Sequence, residues 1–142
     1  LDEFMNLNIW KQNGSISIWR YNPLNKNFPG WHMSADKEGY ESLLQFLNLL
    51  ELSPVGSKRT LKLTKPDVWS ASTTLKKTPE KKVLITLSSS IDDWHLKTEQ
   101  DRLLFSIGVQ QISLLKTGIM DARNGEYDFS VGAIDGQNMW FW

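Results

Sequence analysis

The chain has 142 residues, of which 40% are hydrophobic and 23% charged, and its 16 Lys and Arg residues balance its 16 Asp and Glu residues. This length is typical of a single domain, and a chain of this size buries about 68–70% of its unfolded surface, so one hydrophobic core is sufficient. The chain has no cysteine, which excludes disulfides, thiolate metal ligands and cysteine nucleophiles, while the balanced charge indicates no polyanion as an obligatory partner.

The first four residues are interpreted as foreign to the domain. Leu1-Asp2-Glu3-Phe4 precede Met5, and we interpret 1–4 as a cloning remnant and 5–142 as a single domain; a native origin of these residues is the alternative. No stretch approaches the roughly 18 apolar residues of a membrane span, and no basic-then-apolar leader opens the chain. Together with the lack of cysteine, these features favour a cytoplasmic protein.

The N-terminal residues show the pattern of a β-hairpin. Apolar residues alternate with polar ones on both sides of Asn13-Gly14. Asn-Gly between alternating segments is a strong hairpin signal, because both residues tolerate the positive φ of a type I′ turn. The sequence therefore predicts paired strands over 6–12 and 15–21, followed by a third short strand at 31–33.

The most regular pattern in the chain is that of a helix. Ser34-Ala35-Asp36 offers side-chain oxygens that can cap a helix start. Apolar residues then recur at three- and four-residue steps up to Leu50, which predicts a helix over 36–52. A strand over 59–64 follows. The next segment, 67–81, is predicted to be a loop because Ser, Thr, Lys and Pro dominate it.

The second half of the chain predicts further strands and one more helix. Apolar runs or alternation in 83–87, 94–98 and 102–107 predict a meander of three strands. An apolar stripe predicts a helix over 109–123, ended by Asn124-Gly125. Within this helix, Gly118 is expected to cost about 1 kcal/mol relative to alanine.

The C-terminal residues predict a closing hairpin and complete the fold class. Tyr127, Phe129 and Val131 alternate, Asp135-Gly136 turns the chain, and 138–142 runs back. Strands joined by short turns favour antiparallel pairing. The predicted fold is therefore α+β, a mainly antiparallel sheet with two helices packed on one face.

Residues able to carry chemistry are few. The chain has two histidines, and a metal site would need further donors, most simply Asp92 or Asp93. His32 and His95 are therefore interpreted as polar-face strand residues. The run from Ser88 to His95 contains the residue types of a serine hydrolase. Triad members converge in space rather than in one short run, so a capped loop is expected.

Carboxylate pairs and phosphate loops give no stronger signal. Glu126 and Asp128 share a face of the last hairpin, where a solvated strand face is favoured over acid–base chemistry or ion binding. The nine glycines occur singly, so no glycine-rich phosphate loop is predicted. No catalytic residue, cofactor or metal ion is expected.

Charge is unevenly distributed along the chain. A candidate basic patch comprises Lys58, Arg59, Lys62, Lys65, Lys76 and Lys77. With Trp69 nearby, such a stripe could bind single-stranded nucleic acid through phosphate contacts and stacking. Lysines also protect strand edges from aggregation, and a bipolar surface suits a protein of opposite charge. Nucleic acid is the less favoured partner.

Tryptophan is unusually abundant, with seven in the chain. Tryptophan is enriched where proteins meet partners. A candidate binding surface comprises Trp31, Trp94, Trp140 and Trp142, and along a strand Trp140 and Trp142 must point away from Phe141. A homodimer through an aromatic sheet face or edge is one form of this hypothesis. The alternative is a small-ligand pocket lined by Trp31, Trp94 and Trp140.

Two segments carry a resemblance to other proteins. Gly125-Glu126-Tyr127-Asp128-Phe129-Ser130-Val131-Gly132, followed by Met139-Trp140-Phe141-Trp142, resembles the ending of a group of small bacterial proteins of unknown function. The segment Trp31-His32-Met33-Ser34-Ala35-Asp36 and the helix after it resemble them too. The resemblance implies a bacterial cytoplasmic domain and no catalytic residue. Small bacterial proteins of this kind include immunity proteins and mobile-element cargo. The lack of a catalytic constellation and the abundance of tryptophan favour a non-catalytic protein-binding module, of immunity or accessory type or mobile-element cargo.

Overall fold

The computed structural model describes residues 6–20, 30–66, 80–126, 130–132 and 137–142. Within them the elements are β1 (Ile16–Trp19), β2 (Trp31–Ala35), α1 (Lys37–Glu51), β3 (Lys58–Lys62), β4 (Lys82–Leu87), β5 (Trp94–Glu99), β6 (Arg102–Ile107), α2 (Val109–Arg123), β7 (Ser130–Val131) and β8 (Met139–Phe141).

The strands form two sheets rather than one. The first sheet has the order β1-β2-β8-β7 and the second the order β3-β4-β6-β5. The pairs β2–β8 and β4–β6 are parallel and the other four pairs are antiparallel. The predicted α+β class with mainly antiparallel strands is confirmed.

Helix α1 forms where its pattern predicts. Asp36 is the N-cap, and its carboxylate accepts hydrogen bonds from the backbone N–H of Gly39 at 2.7 Å and of Ser15 at 3.0 Å. The apolar stripe from Tyr40 to Leu50 is buried. The helix contacts α2 and β2. Because the Asp36 carboxylate binds both Gly39 and Ser15, it fixes the start of α1 and the entry to β1.

The predicted N-terminal hairpin is wrong. Residues 7–9 form a turn, and β1 pairs with β2 instead of with 6–12. Gly14 does have the expected positive φ of 72°. However, the N–H of Asn13 donates to the hydroxyl of Ser42 on α1. The Asn-Gly turn is therefore packed against the helix and does not close a ladder.

The three strands of the second half have the predicted bounds within about one residue, but they do not form a meander. β4 lies beside β6 in parallel, and β5 is the outer strand. β4 and β6 are the more apolar strands, and β5 is the more polar one, with Lys97, Thr98 and Glu99 exposed. Central positions bury more surface, so the apolar strands occupy the centre and the charged strands the edges.

Helix α2 and the closing hairpin agree with the prediction. α2 spans Val109–Arg123, and β7 pairs antiparallel with β8. Gly118 lies against the ring of Phe141, which ties the helix to the first sheet. The predicted strand residues 127–129, the turn at Asp135-Gly136 and most of the loop 67–81 lie outside the described residues.

Both sheets and both helices contribute to one hydrophobic cluster. The backbone N–H of Thr64, just after β3, donates to the carbonyl of Ile16 at 2.7 Å, and the hydroxyl of Ser17 donates to the carbonyl of Thr64 at 2.7 Å. These bonds join the edge of the first sheet to the chain leaving the second. In the part of the chain that the structure describes, no helix has the length and apolar run needed to cross a membrane.

Candidate binding surface

The second sheet buries one face, and the described residues on its other face are exposed or half-buried. On the inner face, Leu61, Val83, Ile85, Leu103 and Phe105 are buried in the core. Side chains alternate along a strand, so the residues between them point outward. Because register partners share a face, the outward residues of the four strands form rows that cross the sheet.

We call this surface the basic face, and it consists of three rows. They are the cationic row of Lys62, Lys82, Arg102 and Glu99, the apolar row of Thr60, Leu84, Leu104 and Lys97, and the hydroxyl row of Lys58, Thr86, Ser106 and His95. Strands lie about 4.8 Å apart, and outward residues along one strand lie about 6.6 Å apart. Charged groups are therefore close neighbours across the strands in the cationic row, and Lys97 and Glu99 are neighbours along β5.

The charge of the basic face is mostly positive. Lys58, Lys62, Lys82 and Lys97 are exposed. Glu99 pairs with Arg102 at 3.3 Å, and both side chains are well exposed, at 49% and 39%. An exposed pair of this kind contributes at most about 1 kcal/mol. Arg102 therefore remains accessible to another carboxylate.

A shallow hollow occupies the middle of this face. It measures about 520 Å³ and is lined by residues of all three rows on β4, β5 and β6. Leu84 and Leu104 are direct register partners at its centre, and both are half-buried. The face thus combines an apolar centre with a cationic border.

One corner of the hollow brings together the residue types of a catalytic triad. Ser106 and His95 are register partners, and the hydroxyl of Ser106 donates to the Asp93 carboxylate at 2.7 Å. In a triad the hydroxyl donates to a histidine, and the histidine donates to the acid. Here the Ser106 hydroxyl donates to Asp93 instead of to His95, so this corner lacks the hydrogen bond between nucleophile and base.

The predicted basic patch is only partly assembled. Lys58 and Lys62 lie on the basic face, and Lys65 is exposed just beyond β3. Arg59 points the other way, because adjacent strand residues face opposite sides: its guanidinium lies 5.5 Å from the centroid of Trp10 and donates to the carbonyl of Leu7. Lys76 and Lys77 lie outside the described residues.

The remaining cations of this face were missed because they come from distant strands. Lys82 is on β4, Lys97 on β5 and Arg102 on β6. The alternation of buried and exposed residues in those strands is the signal that places them outward. Which strands become neighbours depends on the parallel β4–β6 pairing, which is not visible in the local sequence.

The predicted tryptophan surface does not assemble. Trp31 and Trp94 are buried, at 1% and 5% exposure. Trp94 packs edge-on against Phe105, with ring centroids 5.0 Å apart. Since neighbouring strand residues face opposite sides and Trp140 is the register partner of His32, Trp31 and Trp140 lie on opposite faces of the first sheet. These three tryptophans therefore cannot line one pocket.

Trp140 and Trp142 do share a face, opposite buried Phe141, and both are half-buried. His32 lies on that face and stacks between Trp19 and Trp142, with centroid distances of 5.6 and 5.9 Å. The indole Nε1 of Trp142 donates to His32 Nδ1 at 2.8 Å. His32 is fully buried, so its interpretation as a polar-face residue is wrong, whereas His95 is exposed as predicted.

The other candidate ligands stay apart. Among the described residues no group of three His, Asp or Glu residues is placed to hold a metal ion. Asp92 and Glu126 are exposed, and Asp128 lies outside the described residues. Glu38 and Glu41 line a separate hollow of about 370 Å³ beside α1.

A glutamine side chain occupies the backbone groups of one residue at each edge of the second sheet. At β3, the Gln12 amide donates to the carbonyl of Lys62 at 2.9 Å and accepts from its N–H at 2.9 Å. At β5, the Gln137 amide donates to the carbonyl of Leu96 at 3.1 Å and accepts from its N–H at 2.6 Å. Each side chain imitates one residue of an added strand.

No family model, no curated protein and no solved structure matches the chain. Function is therefore inferred from the geometry and chemistry of the basic face.

Proposed function

We propose that this chain is a non-catalytic protein-binding module that holds an acidic protein partner on the basic face. The supporting observation is an open sheet face with an apolar centre and a cationic border. Interfaces commonly place apolar contacts at the centre and polar contacts at the rim. In line with the resemblance described above, we place the module among bacterial cytoplasmic proteins of immunity or accessory type.

The composition of this face favours a protein over a nucleic acid. Proteins that bind single strands stack bases on aromatic side chains. The outward residues of β3 to β6 include no Phe, Tyr or Trp. Leu84 and Leu104 offer a contact for apolar side chains of a protein, while a phosphate backbone would gain nothing from them.

Photo-crosslinking tests the proposal. A benzophenone amino acid at Thr60, which is exposed beside Leu84, is compared with the same group at Gln45, which is exposed on α1. We expect Thr60 alone to crosslink an acidic protein in bacterial cells. The purified protein should then bind the chain in solution, with its affinity reduced about tenfold or more by Lys62→Glu/Lys82→Glu.

A matched charge change provides the control. Lys37→Glu/Arg123→Glu alters the net charge equally at exposed positions on the helices, so affinity should change less than about twofold. A nuclease-sensitive crosslink would replace the proposal by nucleic-acid binding. A crosslink to a second copy of the chain, or equal crosslinking from both positions, would also contradict it.

A further inference from the structure

We propose that the segment of the partner seated on the basic face is an acidic amphipathic α-helix that lies across the strands. This inference rests on the proposed function and adds the shape, direction and polarity of the bound segment. It follows from three features: the glutamine contacts at the edges of the second sheet, the order of the three rows, and the spacing of the apolar row.

The glutamine contacts at the edges disfavour a bound strand. A peptide that extends a sheet needs free backbone N–H and C=O groups at an edge. Gln12 occupies those groups of Lys62 on β3, and Gln137 occupies those of Leu96 on β5. A strand could pair at these positions only after displacing two hydrogen bonds. This disfavours strand addition at these two positions and favours contact through the side chains of the open face.

The spacing of the rows suits a helix. Leu84 and Leu104 are neighbours across the sheet, in a row whose members are about 4.8 Å apart. Apolar residues at i, i+3 and i+4 on a helix are about 5–6 Å apart. An apolar helix ridge can therefore follow the apolar row, and the methylene stem of Lys97 extends the contact at one end.

The order of the rows determines which flank of the helix carries acidic residues. The cationic row lies on one side of the apolar row, and the hydroxyl row lies on the other. Acidic residues should therefore flank one side of the ridge, facing Lys62, Lys82 and Arg102. The weak exposed pair between Arg102 and Glu99 can exchange for a carboxylate of the partner. The opposite flank meets the hydroxyl groups of Thr86 and Ser106, with Lys58 and His95 at the two ends of that row, and should therefore be polar with fewer acidic residues.

Synthetic peptides provide the test. The first is a side-chain-stapled helix of about 16 residues, with leucines at helical spacing and glutamates along one flank. The second has the same composition with leucines at every second position, so that only an extended form is amphipathic. The third probe is an oligothymidylate of about 12 nucleotides. Affinity is measured by fluorescence anisotropy, and the contact residues are identified by amide chemical shifts.

We expect the stapled helix to bind at least about tenfold more tightly than the alternating peptide and to shift the amides of β4 and β6. Lys62→Glu/Lys82→Glu and Leu104→Asp should each weaken its binding about tenfold or more. Lys37→Glu/Arg123→Glu should leave it within about twofold.

The other outcomes separate the two proposals. Equal binding of both peptides, with the same dependence on Lys62 and Lys82, would overturn the helix and leave an acidic protein partner in place. Tighter binding of the oligothymidylate on the same face would overturn both. Amide shifts confined to α1 or α2, or no shift with any probe at about millimolar concentration, would also overturn both.

Discussion

The two sheets use their outer faces in opposite ways. In the first sheet every residue of β1 is buried, and the outward His32 is enclosed between two indole rings. In the second sheet the outer face carries exposed lysines around two half-buried leucines. A sheet covered on both faces contributes mainly to stability, while one covered on a single face can bind a partner without disturbing the core. Substitutions should therefore act on folding in the first sheet and on binding in the second.

The two histidines give the largest expected contrast. His32→Ala removes a fully buried ring, two stacking contacts and the acceptor for Trp142 Nε1, and should lower the free energy of unfolding by about 3 kcal/mol. His95→Ala removes an exposed ring and should change it by less than about 0.5 kcal/mol. Urea unfolding followed by tryptophan fluorescence measures both values.

A third variant separates stacking from hydrogen bonding. His32→Phe keeps a planar ring between Trp19 and Trp142 but removes the acceptor at Nδ1. Its effect should be intermediate, at about 1–2 kcal/mol. If His32→Ala and His95→Ala had equal effects, the contrast between the covered and the open face would not hold.

A smaller loss of stability is expected at Gly118. A Cβ at this position would lie 2.6 Å from Cε2 and 2.8 Å from Cζ of Phe141, whose ring is fully buried. Alanine should improve the helix by about 1 kcal/mol, but overpacking costs about 1–3 kcal/mol. Since the buried ring has little room to move, we expect Gly118→Ala to destabilise the protein by about 1 kcal/mol net. Thermal unfolding measures the sign.

The matched control for this prediction is a pair of substitutions. Phe141→Leu makes room beside residue 118, so Gly118→Ala should be less harmful in that background than in the native protein. Stabilisation of the native protein by Gly118→Ala would mean that the helix does not pack as closely on Phe141 as the structure indicates.

Local patterns predicted the elements far better than their arrangement. Both helices follow from apolar spacing and end signals, because these depend on neighbouring residues. Asn13-Gly14 led to a wrong hairpin prediction, because a positive φ at Gly14 is compatible with packing against α1 as well as with a hairpin turn. The β4–β6 pairing joins segments separated by β5, and local alternation cannot reveal such a contact.

The same limit applies to the binding surface. Lys58 and Lys62 were predicted from a run of basic residues, and that run also included Arg59, which the two-residue period of a strand turns inward. Lys97 and Arg102 join the face only through pairing. The tryptophan count suggested exposed aromatic groups, but Trp31 and Trp94 fill the core. Abundance of a residue type does not determine which face it occupies.

Modest effects on stability, comparable to that at Gly118, are expected at the edges of the second sheet. Gln137→Ala removes two hydrogen bonds in a part-buried site and should cost about 1–2 kcal/mol. Gln12→Ala removes two bonds at an exposed site and should cost less than about 1 kcal/mol. Gln137→Glu keeps an acceptor for the Leu96 N–H but cannot donate to its carbonyl, so its cost should equal or exceed that of Gln137→Ala, since a partly buried charge is added.

Association is the more informative readout for these edge variants. Unpaired edge groups are templates for another strand, so Gln12→Ala/Gln137→Ala should increase self-association, measured by size exclusion with light scattering at matched concentrations. Lys62→Glu/Lys82→Glu alters the basic face and leaves both glutamines in place, so it should not increase self-association. If the edge variants lost stability without associating, the glutamines would only stabilise the strands and would not protect these edges from an added strand.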